Sequence, residues 1–194
     1  MGTFKTTPSV DVFMTFQAYA KQQALIQSCP AEVGWFGEVR MHKIPGYGEV
    51  YYVTDIYVPE QTVSVGSVDQ IGDELLRWMM QNPELASRCN YYGHSHVTAE
   101  TFTSYTDLTQ ILNWREYGVP YMINYVGNKH GEHWTRLDQF EPREGSSSVN
   151  LIIDVPDNYR AWARDVLAEG ITITQTRKGR TEIVKPRGSY AHLS

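Results

Sequence analysis

Cysteine is scarce in this chain: Cys29 and Cys89 are the two in 194 residues. That excludes a disulfide framework as the organising device and makes a reducing cytoplasm the expected setting. No apolar run approaches the length of a membrane span. Residues 1–7 lack the apolar centre of a secretory leader. Basic charge is not in excess either. Lys and Arg number 17 against 22 Asp and Glu, a net charge of −5, which argues against nucleic acid and anionic membranes as partners. The late basic cluster, Arg177, Lys178, Arg180, Lys185 and Arg187, is short and reads as a solvated turn and tail. Repeats and low-complexity tracts are missing as well.

What is present is globular material: 41% hydrophobic and 20% charged residues, a balance that does not support disorder as the main state. The composition alternates between strand-like and helix-like segments. Residues 10–16 read as a short strand. Residues 17–28, rich in Ala, Gln and Leu, read as a helix ended by Cys29-Pro30. Strands follow at 32–41 and 50–58, the latter dense in β-branched and aromatic residues. After a loop over 59–67, the spacing of Ile71, Leu75, Trp78 and Met79 predicts a helix over 69–81.

A strand at 88–95 and a helix at 104–117 come next, the helix with Leu108, Ile111 and Leu112 inward. Residues 119–126 and 133–140 form a hairpin around Asn128-Lys129-His130-Gly131. Residues 142–148 read as a linker. Beyond it lie a strand (149–155), a helix (157–168) carrying Tyr159, Trp162, Ala163, Val166 and Leu167 on one face, and strands at 171–176 and 181–185. This alternation predicts an α/β class. The five tryptophans read as core.

Chemistry is concentrated in Tyr92-Gly93-His94-Ser95-His96, Ser104 and Asp107. On a strand, residues i and i+2 share a face, so His94 and His96 project together and Ser95 faces the other way. Two imidazoles and a carboxylate make a three-ligand zinc set with an open fourth position. Asp107, in the first turn of the following helix, is the natural third ligand. Each piece also has a plainer explanation: a strand pair of exposed histidines, and Ser-x-x-Asp as a variant capping box. His130 and His133 flank a tight turn and read as solvated turn residues, and His42 and His192 have no partner pattern.

The spacing His-x-His, seven residues, Ser, two residues, Asp resembles the signature of the JAMM (MPN+, JAB1-like) zinc metalloproteases. The match is complete at His94, His96, Ser104 and Asp107. The resemblance implies Zn²⁺ on His94, His96 and Asp107, with Ser104 stabilising an oxyanion and an upstream glutamate as general base. Glu32, in Pro30-Ala31-Glu32-Val33-Gly34, is the candidate, and Glu38 in the same strand is its competitor. The implied fold is α/β: a mixed β-sheet flanked by helices, the cytidine-deaminase-like JAB/MPN core, over residues 8–141. A small β-α-β-β extension over 149–194 is then expected to pack on that core.

The implied activity is cleavage of peptide or isopeptide bonds. By family precedent the substrate is the C-terminal tail of ubiquitin or a ubiquitin-like protein, and the 59–67 loop lines its groove. Two departures bear on this. Val97 stands where many members have proline, and the short segment after the Asp107 helix leaves little room for a ubiquitin clamp. Two alternatives therefore stay open: a phage or bacterial peptidase acting on another amide such as a cell-wall peptide, and a non-catalytic MPN-type scaffold.

Overall fold

The computed structural model describes residues 9–46, 48–61, 77–102, 105–142, 144–170, 173–177 and 180–184; for 105–107 and beyond 166 it describes the backbone only. The chain divides into two units, Met1–Asp154 and Val155–Ser194.

The first unit is a closed barrel of seven strands. In chain order they are β1 (Ser9–Thr15), β2 (Gly34–Ile44), β3 (Gly48–Tyr57), β4 (Tyr91–Ser95), β5 (Tyr121–Gly127), β6 (His133–Gln139) and β7 (Gly145–Asp154). Around the barrel they run β1-β3-β2-β4-β5-β6-β7, and β7 returns to β1. The expected mixed sheet flanked by helices, with JAB/MPN α/β architecture, is therefore not what the chain forms. The cause lies in β7. The sequence reading gave residues 142–148 to a linker, yet Gly145–Ser148 are strand. β7 then pairs in parallel with the whole of β1, from Ser9↔Ser148 to Thr15↔Asp154. An open sheet keeps two rows of unpaired backbone groups at its edges; pairing the last strand with the first removes both.

Neighbouring residues on each strand point to opposite sides, and here both sides are apolar. Val12, Met14, Trp35, Val53, Tyr51, Tyr91, Ile123, Tyr125 and Leu137 fill the inner core. Their neighbours Phe36, Tyr92 and Met122 form a second, outer cluster with Cys89 and Trp114. Helix α1 (Phe16–Ser28) joins the inner core through Ala18 and Ile26. Its first turn is capped by Thr15, whose hydroxyl accepts from Ala18 N at 3.1 Å. Its Gln22 meets the buried Tyr91 hydroxyl at 2.8 Å.

A four-residue helix, α2 (Pro83–Ala86), precedes β4. Helix α3 (Tyr105–Glu116) links β4 to its parallel neighbour β5. Its inward face is Ile111 and Trp114, 6% and 1% exposed, while Leu108 and Leu112 are 43% and 58% exposed. The expected Leu108–Leu112 stripe is thus displaced in favour of the indole, which fills the space over Phe36 and Tyr92. Of the expected helix over 69–81, residues 77–81 are helical and the rest lies outside the described residues.

In the second unit, helix α4 (Asp157–Gly170) is followed by β8 (Ile173–Arg177) and β9 (Arg180–Val184), an antiparallel pair. Trp162 on this helix is 65% exposed. Among the described residues no helix is long and apolar enough to cross a membrane.

Candidate metal centre

β4 is buried along its whole length, between β2 on one side and β5 on the other. It delivers His94 to the outer face and ends one residue before His96. The two rings lie 5.0 Å apart, and their Nε2 atoms approach to 3.2 Å. Zn–N bonds of about 2.0–2.1 Å in a tetrahedral site set adjacent nitrogens about 3.4 Å apart, so the pair fits two ligands of one ion. The Nδ1 of His96 sits 2.8 Å from the carbonyl oxygen of Glu100. A carbonyl only accepts, so Nδ1 carries a hydrogen and Nε2 is the nitrogen that a neutral ring would offer to a metal.

The turn that brings Glu100 back to His96 is strained. Val97 has φ 49, in the left-handed region that a β-branched residue rarely adopts. Ala99 N donates to His96 O at 2.8 Å and Lys129 N to Val97 O at 2.7 Å. Asn128, buried at the end of β5, clamps the same turn. Its Nδ2 donates to Ala99 O at 2.9 Å, and its Oδ1 accepts from His130 N and Glu132 N at 3.0 and 3.1 Å. Sequence reasoning placed Asn128 in a hairpin turn without seeing this role. The signal was present, since an Asn opening a tight turn is a habitual side-chain acceptor, but its target lies 29 residues away.

Of the two candidate glutamates, Glu32 belongs to the histidine end. Gly34 is in register with His94. One step further, Ser95 N donates to Val33 O at 3.0 Å and Val33 N donates to the Ser95 hydroxyl at 3.1 Å. Glu32 is the next residue out, two beyond Gly34 on the histidine side and past the last paired residue of β2. Ser95 is fully buried and faces away from the histidines, as the strand alternation predicts. Glu38 lies four residues down β2 from Gly34, about 13 Å at about 3.3 Å per residue. It is held near Arg88 and Arg40, at 3.6 and 3.8 Å.

Asp107 stands in the first turn of α3, the helix that follows β4; its side chain and all of Ser104 lie outside the described residues. Among the described residues no group of three His, Cys, Asp or Glu could hold a metal ion. His133 stacks on Tyr125 at 5.8 Å and is not part of the pair.

No family model matches the chain, and no curated protein matches it. Among solved structures, the solution structure of protein DSY2949 from Desulfitobacterium hafniense has a TM-score of 0.43 and 11% identity, over 76% of this chain and 97% of that one. A likeness of that degree carries no argument about chemistry.

Proposed function

We propose that the chain is a zinc-dependent hydrolase of peptide or isopeptide bonds, with His94, His96 and Asp107 as the ligands. The observation that supports this reading best is the approach of the two Nε2 atoms to 3.2 Å with His96 Nδ1 turned to a backbone carbonyl. Zn²⁺ held there supplies Lewis acidity, which activates water toward an amide carbonyl at neutral pH. The Glu32 carboxylate accepts the proton of the attacking water and returns it to the leaving amine. The Ser104 hydroxyl donates to the oxygen on which negative charge develops. The substrate is an extended peptide segment, and the tail of a ubiquitin-like protein is the form the resemblance favours.

Metal analysis coupled to Glu32→Gln tests the reading. Protein purified with zinc supplied should carry about one zinc per chain. Glu32→Gln should keep the metal and lose hydrolysis of a ubiquitin-like fusion or a model peptide, whereas Asp107→Asn should weaken zinc binding. Wild-type protein that takes up no zinc, or Glu32→Gln that retains full activity, overturns it.

A further inference from the structure

Gln61 lies four residues beyond the end of β3 and closes an edge of β2 that β3 leaves open. The β2–β3 ladder ends at Phe36↔Tyr57. Continued by two residues, that register sets Pro59 opposite Gly34, and proline has no N–H to give. The carboxamide of Gln61 takes the place of the missing peptide group. Its Oε1 accepts from Gly34 N at 2.9 Å and its Nε2 donates to Gly34 O at 2.8 Å. The same Nε2 lies 3.2 Å from Pro59 O, which ties the side chain to its own loop. On the opposite edge, Val33 is held by both the backbone and the hydroxyl of Ser95. The two residues between Glu32 and the rest of β2 are therefore pinned from both sides, by Ser95 at Val33 and by Gln61 at Gly34. Glycine at 34 makes the second clamp matter, because without it the backbone there has the widest freedom of any residue.

We infer that Gln61 is a positioning residue: it fixes the start of β2 so that Glu32 meets the histidine pair. This rests on the reading of Glu32 as the proton-transferring group. It acts through the backbone and touches neither substrate nor metal. Loss of the clamp lets residues 32–34 shift, and a misplacement of about 1 Å in a catalytic group costs up to about 100-fold in rate.

The test uses Gln61→Ala and the near-isosteric Gln61→Met, which keeps the bulk and removes both hydrogen bonds. Either folded variant should lower kcat about 10- to 100-fold, with KM within about twofold and zinc content unchanged. Hydrogen exchange at the Gly34 amide, measured on the metal-free protein, should accelerate. An active wild type with Gln61→Met at full kcat overturns this inference alone. Unchanged Gly34 exchange overturns it as well, whatever the activity. A wild type that neither binds zinc nor hydrolyses amides removes the reading of Glu32 and this inference with it.

Discussion

Replacing Gly93 with alanine puts a methyl group where the indole of Trp35 already lies. A Cβ on Gly93 would sit 2.3 Å from Trp35 Nε1, 2.4 Å from Cε2 and 2.7 Å from Cζ2. Ordinary contacts between such atoms are about 3.5–4.0 Å, so something must move by more than 1 Å. Neither partner has room. Gly93 is laddered to Trp35 in β2 and to Tyr125 in β5. Trp35 is fully buried and packs against Tyr125, ring centroids 6.1 Å apart. Overpacking a core costs about 1–3 kcal/mol, and this geometry belongs at the upper end, about 3 kcal/mol. For a domain of this size, at about 2–4 °C per kcal/mol, the melting temperature should fall by about 6–12 °C. Thermal and urea unfolding followed by circular dichroism measure it. Adding Trp35→Phe removes part of the obstructing ring, so the double variant should lose less than the two single losses added together. A Gly93→Ala protein that melts within about 2 °C of wild type, with strictly additive losses, would refute the reasoning. The same residue lies between Tyr92 and His94, so zinc affinity should fall together with stability.

Three further outcomes are expected. Asn128→Ala removes an acceptor from two backbone N–H groups and a donor from Ala99 O; it should cost about 2 kcal/mol in urea unfolding and weaken zinc binding about 10-fold by loosening the turn that fixes His96. Val97→Gly relieves a left-handed backbone at a β-branched residue; strain of about 1–3 kcal/mol, less the entropy glycine adds to the unfolded chain, should leave a net gain of about 1 kcal/mol, and a melting temperature that drops instead contradicts it. Alkaline pH should unfold the barrel: burial pushes the Tyr125 phenol up to about 12 and raises Tyr91 well above its ordinary value, while an unfolded tyrosine titrates near 10. Between those values the unfolded chain gives up a proton that the fold retains, so stability is intact below about pH 10 and Tyr125 alone forfeits about 2 kcal/mol by pH 12; melting temperature against pH, with tyrosinate absorbance alongside, would show this, and a flat profile across that range would not fit.

Local pattern carried the elements and their types. The Thr15 cap and the Cys29-Pro30 stop bound α1 within a residue of the expected helix. The β-branched run at 50–58 is β3, and Asn128 with Gly131 does turn the β5–β6 hairpin. The histidine pair was legible for the same reason, because i, i+2 spacing on a strand is a local fact. Its partners were not. Gln61 and Gly34 are 27 residues apart, and Asn128 and Ala99 29, in contacts that exist only because strands distant in sequence lie side by side.

The barrel itself was invisible for that reason too. Gly145–Ser148 is a polar run of glycine and serine that reads as linker; it is strand because it pairs with β6, and from Ser148 onward β7 closes on β1, more than 130 residues away. The sequence alone determined the strand-and-helix content and the placing of His94 and His96 on one face, consequences of short-range periodicity and turn chemistry; Glu32 as the glutamate to test comes from the resemblance, with Glu38 as its competitor. The tertiary structure decided that the sheet closes on itself, that Glu32 and not Glu38 lies at the histidine end, and that a strained turn, an asparagine and a glutamine hold that end in place. Those depend on long-range register and on where buried backbone groups find partners, which no local pattern encodes.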